Sequence, residues 1–396
     1  MTLQLITYVL DTASIGAAVS VLPRIIFGFD PVPPTIYDKL GLTSDVYGAF
    51  CSGLLLLSCL KWALRKWWRK AHGGEKESMY GLQHGRLHLK LPTPMWMNMG
   101  YWGHEVEAST MAEACRDLLK MVLREAGFSS EVERAEIARG TRRPKVLIDL
   151  GFGCGDQTIY LMSDTSVRSC DREWWDEREY CPKFDHYIGI TKDATQHRYA
   201  RKRVEELIGH GQEQRSEPNI SLFCADAATP GPWTTSWNKD IKSCIEDVLE
   251  VDPDRWVLAL DTIYHFSPSR WPLIKYAHAF QASFMAFDLC LSPQATRTQR
   301  IILRILTALM GAPWANFVTP VEYRRKLVEA GYPTDEIKIV DVSEHVFAPL
   351  ARYLEEQDAR LKMLGLGIGS FSVAKYMFNW WGSSGVVRGV IVVARR

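Results

Sequence analysis

The chain has 396 residues, of which 47% are hydrophobic, enough for a packed α/β core. Its 47 Lys and Arg residues nearly balance its 46 Asp and Glu residues, so no net field favours a polyanion, and nucleic acid is not the expected partner. The nine cysteines stand singly, without the close spacing of a zinc or dithiol site, so we expect no metal and a reducing compartment.

Residues 1–72 are predicted to form a membrane-associated helical segment. Residues 46–60 carry no charge and include four consecutive leucines, and the Lys and Arg residues that follow are interleaved with Trp, a pattern typical of a membrane interface. The uncharged run is shorter than the roughly 20 residues of a span, so a helix packed against the protein is the alternative. No basic cluster precedes the segment, which argues against a cleaved signal. We expect the remaining chain in the cytosol, at the endoplasmic reticulum if the source is eukaryotic.

Residues 73–145 are predicted to form a linker and a helical cap. The polar stretch Gly73–Ser78 reads as the linker. Apolar residues then recur at helical spacing between Ser109 and Gly127, with Ser109 or Thr110 as the N-cap and Gly127 as the stop. This helix marks the approach to the main domain.

From residue 146 onward, short β-branched runs alternate with helical patterns. The predicted strands are 146–150, 187–190, 220–224, 256–260, 284–289, 337–342 and 386–394. This alternation predicts an α/β fold with a Rossmann-like, seven-stranded, mostly parallel sheet and helices on both faces. We divide it into a core at 146–291, a helical lid or substrate region with one strand at 292–384, and a final strand at 385–396.

Two segments depart from a minimal unit of this type. Residues 163–183 are long and charged for a connection, and they are expected to form a solvated surface insertion. Within the helical block at 297–376, helices are predicted from Thr319 to Ala330 and from Ser343 to Leu364. This block is the expected lid over a substrate pocket.

The clearest motif follows the first strand, where Asp149 precedes three glycines at alternate positions, Gly151, Gly153 and Gly155. Glycine lets a backbone turn sharply and approach a ligand closely, and the amides at the following helix start suit an anion. The motif resembles the nucleotide loop of class I methyltransferases. That resemblance implies cofactor contacts from these four residues.

The ends of the next two strands extend the resemblance. Thr191 stands where most such enzymes carry an acid. Together with Gln196 it resembles the Gly-Ile-Thr…Gln pattern of the group of cyclopropane-fatty-acid synthases, sterol C-methyltransferases and tocopherol methyltransferases. The resemblance implies that both contact the adenosyl ribose, which a hydroxyl and an amide can do without a buried charge. It likewise assigns Asp226, followed by Ala227, to the adenine amino group.

Upstream of the core, the segment from Asn98 to Trp102 is similar to an Asn-x-Gly-Tyr-Trp segment of the same group. There the aromatic residues close over the methionyl end of the cofactor, which implies cation–π contacts from Tyr101 and Trp102. The neighbouring Met95, Met97 and Met99 are interpreted as ordinary core packing.

The fourth strand ends at Asp261, which is assigned to the cofactor, and continues into Tyr264 and His265. A Tyr-His-Phe sequence here resembles small-molecule methyltransferases that keep a His beside the acceptor. Ligands bind outside the carboxyl ends of such strands, so we assign Tyr264 and His265 to catalysis, with neutral His265 as a base. Cyclopropane synthases carry Glu before this His, so Tyr264 argues against cyclopropanation.

Together these motifs imply that the core at 146–291 binds S-adenosyl-L-methionine and that the chain methylates a small, lipophilic acceptor at a membrane. The acceptor classes considered are a sterol, quinol, lipid or secondary metabolite. An NAD(P)-dependent oxidoreductase is the first alternative, disfavoured by the glycine spacing and by Thr191. A non-catalytic, membrane-anchored binding module is the second. Neither the methylated atom nor the oligomeric state follows from the sequence.

Overall fold

The computed structural model describes residues 94–103, 110–163, 181–208, 219–228 and 253–396. The chain divides into two compact units, Met1–Leu87 and His88–Arg396, and all the described residues belong to the second. The predicted membrane segment at 1–72 and most of the insertion at 163–183 lie outside the described residues. Among the helices that are described, none is long and apolar enough to cross a membrane.

Seven strands form one sheet in the order β3-β2-β1-β4-β5-β7-β6. The strands are β1 (Lys145–Leu150), β2 (His186–Thr191), β3 (Asn219–Cys224), β4 (Asp254–Leu260), β5 (Ser283–Leu291), β6 (Ile337–Asp341) and β7 (Val387–Ala394). The pairs among β1 to β5 are parallel, and β7 pairs antiparallel with both β5 and β6. The predicted seven-stranded, mostly parallel sheet is confirmed.

Burial on both faces explains why the central strands read as continuous apolar runs. All six residues of β1 and all nine of β5 are buried. Alternate side chains of β1 enter opposite cores, Leu147 on one side and Val146 and Ile148 on the other. The sheet therefore needs helices on both faces.

Nine helices accompany the strands in the described ranges. They are α1 (Met111–Glu125), α2 (Ser130–Arg139), α3 (Asp156–Met162), α4 (Ala194–Ile208), α5 (Trp271–Ala279), α6 (Arg297–Leu309), α7 (Pro320–Ala330), α8 (Phe347–Met363) and α9 (Phe371–Ser384). Local signals set several ends: Thr110 and Glu113 form a capping box at α1, and Thr319 and Gly331 bracket α7.

Most of the predicted lid belongs to the layers that cover the sheet. Tyr323 and Leu327 of α7 pack into one core, and Phe347 of α8 and Trp381 of α9 pack into the other. The helix predicted from Ser343 begins with a 3₁₀ turn at Ser343–His345 before α8. Helix α6 has two buried residues among its 13, Leu303 and Thr307.

Candidate active site

A cleft of about 450 Å³ opens at the carboxyl ends of β1 to β4. Strands β2 and β3 lie on one side of β1, and the chain then continues with β4 on its other side. Open α/β sheets bind ligands at such a switch point, beyond the carboxyl ends of the strands. Its lining comes from the turns after these four strands and from residues 95–98. The volume falls in the range of small-molecule and cofactor sites.

The glycine loop forms one wall of the cleft. Gly151 has φ +79° and donates its N–H to the Ile190 carbonyl at 2.7 Å; a Cβ there would lie 2.7 Å from the Thr262 hydroxyl. Gly153, with φ +62°, faces the Met97 sulfur, 3.2 Å from an added Cβ. Both line the cleft. Gly155 instead packs against Ala200 of α4, so its predicted cofactor contact is replaced by helix packing.

A charged clamp holds this loop, and sequence reasoning missed it. The Arg203 guanidinium of α4 donates to both carboxylate oxygens of Asp156 at 2.7 and 3.0 Å and to the Cys154 carbonyl at 2.9 Å. Asp156 also accepts the Met95 N–H at 3.3 Å. Bidentate pairs of this kind fix geometry, and nothing in the spacing of Asp156 and Arg203 along the chain signals it.

Thr191 and Gln196 meet at the end of β2, as predicted for a pair that shares one ligand. The Thr191 hydroxyl lies 3.4 Å from the Gln196 carbonyl oxygen, and both residues line the cleft. The Asp193 carboxylate accepts the N–H groups of Thr195 and Gln196 at 2.8 and 2.9 Å. Asp193 thus holds the start of α4 so that Gln196 faces the cleft.

Asp226 and Ala227 lie at the neighbouring strand end and also line the cleft. The Asp226 carboxylate accepts the Ala228 N–H at 2.9 Å and pairs with the Lys192 ammonium at 3.1 Å. Lys192 is 80% exposed and Asp226 42%, so this ion pair contributes little to stability. Lys192 places a cation at the cleft that the sequence interpretation did not consider.

Asp149 lies beneath the loop and does not line the cleft. Its carboxylate accepts hydrogen bonds from the Tyr187 hydroxyl and, at 2.5 Å, from the Gln157 amide. Burial raises the pKa of Asp149 to about 6, against the opposing effect of these two donors. The predicted direct contact is therefore replaced by an indirect one, because Gln157 lines the cleft and Asp149 orients it.

Asp261 lines the cleft in an unusual backbone conformation, with φ +61°. One carboxylate oxygen accepts the Met99 N–H at 2.8 Å, and the carboxyl group also bonds Tyr264. The other oxygen, Oδ1, is buried without a hydrogen-bond partner among the described residues. Burial raises the pKa of Asp261 to about 8, so the group holds a proton at neutral pH and can donate to a ligand.

His265 is exposed at the cleft, whereas Tyr264 is buried behind it. Partial burial lowers the pKa of His265, although a hydrogen bond to the Gly311 backbone opposes the change. The ring is therefore neutral at neutral pH and able to accept a proton. Burial, followed by the charge of Asp261, raises the pKa of Tyr264 well above its usual value. Tyr264 supports Asp261 through their hydrogen bond, and its catalytic role stays a prediction.

A buried polar network fixes the turn that carries His265. The Asn316 amide donates to the carbonyls of Tyr264 and Phe266 at 3.0 and 2.9 Å. Asn316 in turn accepts the Arg270 N–H at 2.9 Å and receives the Arg270 guanidinium on its carbonyl. The same guanidinium pairs with Asp288 of β5, which also accepts from the Tyr323 hydroxyl at 2.9 Å. The backbone carbonyls on either side of His265, those of Tyr264 and Phe266, are thus both held by the Asn316 amide.

Residues 94–102 form a strap along the cleft. Met95 and Met97, interpreted as core residues, are 42% and 59% exposed and line the cleft, whereas Met99 is buried. Asn98 also lines the cleft, and its amide donates to the Cys115 carbonyl at 3.1 Å. The sequence did not predict these positions at the cleft, because a methionine in a sequence gives no indication of whether its side chain faces the core or a ligand site.

Tyr101 and Trp102 do not line the cleft, and their contact with the cofactor stays a prediction. Trp102 is fully buried, donates from its indole to the Met99 carbonyl at 3.0 Å and packs on Tyr353. Tyr101 stacks on His345 with ring centroids 4.5 Å apart. Gly100 has φ +76° and turns the strap at this point, so the two aromatic rings pack between α1 and α8 and anchor the strap.

No protein-family model and no curated protein sequence matches the chain. Among solved structures, it is similar to a mycolic acid cyclopropane synthase complexed with SAH and CTAB, at 13% identity over 81% of this chain and 96% of the other, with a TM-score of 0.47. It is also similar to a [4+2]-cyclase, at 15% identity over 81% of this chain and 95% of the other, with a TM-score of 0.44. A third similar structure is a geranyl diphosphate methyltransferase in complex with GPP and sinefungin, at 12% identity over 76% of this chain and 89% of the other, with a TM-score of 0.44.

These likenesses concern the fold and assign no activity. The chain's own topology is more informative: five parallel strands in the order 3-2-1-4-5, followed by an antiparallel β7 placed between β5 and β6. This is the sheet of the class I methyltransferase fold that the sequence resemblance implied. The chain therefore has the α/β sheet of that fold, with its cleft at the carboxyl ends of β1 to β4.

Proposed function

We propose that the chain is an S-adenosyl-L-methionine-dependent methyltransferase. The observation that carries the proposal is the convergence on one cleft of Gly151 and Gly153 after β1, Thr191 and Gln196 after β2, and Asp226 after β3. Each residue offers a group suited to one part of an adenosyl cofactor: close backbone approach, ribose hydroxyls and an adenine amino group. S-adenosylmethionine would supply the methyl group.

Within this proposal His265 accepts a proton from the methyl acceptor. It is neutral at neutral pH and exposed to the cleft, and its carbonyl neighbours are fixed by Asn316. Positioned bases of this kind contribute typically about 10²- to 10⁴-fold in rate. His265→Ala is therefore expected to leave cofactor binding intact and to slow turnover.

The acceptor is proposed to be small and lipophilic, such as a sterol, quinol, lipid or secondary metabolite, and to be met at a membrane. The uncharged run at 46–60 with its flanking Trp and basic residues supports the membrane location. Exposed Met95 and Met97 at the cleft support an apolar acceptor, because thioether side chains adapt to varied apolar shapes.

An NADP-dependent oxidoreductase is the second candidate, favoured by one observation. The exposed Lys192 follows Thr191 at the end of β2 and lines the cleft, and a cation there could accommodate a 2′-phosphate in place of the usual acid. The pairing of Lys192 with Asp226 weighs against it, because the phosphate would face that carboxylate at close range.

The test is incubation of the full chain with S-adenosylmethionine bearing a labelled methyl group and a lipid extract. The proposal predicts label in an extractable product with the unchanged chain and a strongly reduced rate with His265→Ala. Transfer of label by the unchanged chain at the same rate as by His265→Ala would remove the base role. Hydride transfer from NADPH, with no labelled product, would favour the second candidate.

A further inference from the structure

Helix α6 presents apolar residues on the face where a surface helix should be polar. Ile301, Ile302, Ile305 and Leu309 are 63%, 43%, 58% and 58% exposed, and we call them the apolar face of α6. The opposite side packs on the protein through Leu303 and Thr307. A helix of a water-soluble domain normally buries its apolar stripe, and contiguous exposed apolar residues mark an interaction surface.

A basic edge borders this apolar face. Arg297, Arg300 and Arg304 are exposed, and Arg300 and Arg304 each directly precede an isoleucine of the face. Helix α6 contains no acidic residue, and none of the three arginines forms an ion pair with any residue that the structure describes. Arg300 donates from its Nε to the Ala295 carbonyl at 3.1 Å, and this contact leaves its charge without an acidic partner among the described residues. Apolar side chains beside such arginines are the composition of helices that lie in the interface of anionic membranes.

A second exposed apolar patch lacks this charge pattern. Met363 and Phe371, at the connection of α8 and α9, are 65% and 59% exposed. The nearby Lys362 pairs with Asp358 at 2.7 Å, and Lys375 pairs with Glu355 at 2.6 Å. Cations that are already neutralised offer no attraction to an anionic surface, so a lipid contact is favoured at α6 and not at this connection.

The position of α6 connects the apolar face to the cleft. Gly311, two residues beyond the end of α6, forms the backbone hydrogen bond to the His265 ring. A membrane in contact with the apolar face would therefore lie beside the turn that carries the proposed base. An acceptor dissolved in lipid could then reach the cleft without crossing bulk water, where its apolar surface is costly to expose.

We propose that the apolar face of α6 lies on an anionic lipid surface, with the three arginines at the level of the headgroups. The inference rests on the proposed function and adds to it a membrane contact within the compact unit that holds the cleft. It is independent of the contact predicted for residues 1–72, because it depends on residues 297–309 alone.

The experiment places a photoreactive benzoylphenylalanine at position 305 of the full chain, in vesicles of phosphatidylcholine with phosphatidylserine. The matched control is the same substitution at Ile137 of α2, which is 59% exposed against 58% for Ile305. The neighbouring residue Glu136 pairs with Lys145, the first residue of β1. Ile137 therefore lies near the amino ends of the strands, opposite the cleft at their carboxyl ends. Irradiation and mass spectrometry identify what each position contacts.

The proposal predicts lipid adducts at 305 and none at 137. Replacing phosphatidylserine by phosphatidylcholine, or combining Arg297→Gln, Arg300→Gln and Arg304→Gln, is expected to reduce the adducts by roughly a hundredfold. Adducts with residues 1–87 of the same chain, adducts with a second copy, or no adduct would each overturn the proposal. The readout needs no methyl transfer, so its failure leaves cofactor binding as a separate question, and loss of cofactor binding does not affect the lipid adducts.

Discussion

Glycine at position 153 is required by two independent features that a variant pair can separate. Gly153 has φ +62° and faces Met97 across the cleft, whereas Gly140 at the end of α2 has φ +63° with nothing within 4 Å of an added Cβ. We predict that Gly153→Val abolishes S-adenosylmethionine binding and that Gly140→Val does not. Both variants carry similar backbone strain, so calorimetric binding isolates the steric effect. Equal loss in both variants would mean that strain alone is responsible.

Asp261 should make the stability of the chain fall with rising pH. Its folded pKa of about 8 lies above the usual value of 3.8, so between these values the folded chain holds a proton that the unfolded chain has released. The stability from this group is complete below pH 3.8 and is lost as pH rises through about 8. The slope approaches about 1.4 kcal/mol per pH unit.

Asp261→Asn is neutral in both states and removes that slope. We predict that the unfolding free energy of the unchanged chain falls more steeply between pH 5.5 and pH 8.5, roughly the range below and above the raised pKa, than that of the variant. Denaturant titrations at both pH values measure this. Parallel pH dependence of the two proteins would show that Asp261 is ionised in the folded chain.

At the scale of elements, the sequence located the strands well, because buried parallel strands are short β-branched runs between turn residues. It also located α7, whose Thr319 cap and Gly331 stop are local signals. It did not show that α8 and α9 pack against the sheet, because their helical pattern does not say which surface their apolar faces meet. A lid role for the region after β5 stays a prediction. Contacts between distant segments, such as Met95 with Asp156, leave no periodic trace.

In the candidate site as well, features set by local sequence were predictable and contacts between distant segments were not. Thr191, Asp226 and His265 stand at strand ends and line one cleft, because topology alone brings strand ends to one edge. Tyr101 and Trp102 lie outside the lining of that cleft, a position that depends on how the strap turns at Gly100 and could not be foreseen from the sequence. The support from Asn316 and Arg270 was missed, because these residues lie in different elements from the turn that they hold.

The turn that carries His265 depends on one amide from another element. We predict that Asn316→Leu lowers the unfolding free energy by about 1–3 kcal/mol, because it leaves the buried carbonyls of Tyr264 and Phe266 without their donor. Thermal unfolding measures the change, and Asn379→Leu, at an exposed position of α9, is the control. If the two variants are equally stable, the network does not stabilise the turn.

At the scale of the whole molecule, two membrane contacts of different physical character are proposed. The contact of residues 1–72 is mainly apolar, whereas that of α6 includes three arginines and is therefore screened by salt. We predict that a chain lacking residues 1–70 leaves the membrane pellet at high salt, while the full chain stays. Continued sedimentation of the shortened chain at high salt would place the main anchor in the part of the chain after residue 70.

In the proposed function, a glycine turn, a hydroxyl and amide pair and a carboxylate bind an adenosyl sulfonium in one cleft. Calorimetric titration of the full chain with S-adenosylmethionine, its demethylated product, NAD and NADPH tests this binding. We expect saturable heat with the first two ligands, lost in Gly153→Val, and none with the nicotinamide cofactors. Saturable heat with NAD or NADPH alone would show that the cleft binds a nicotinamide cofactor instead.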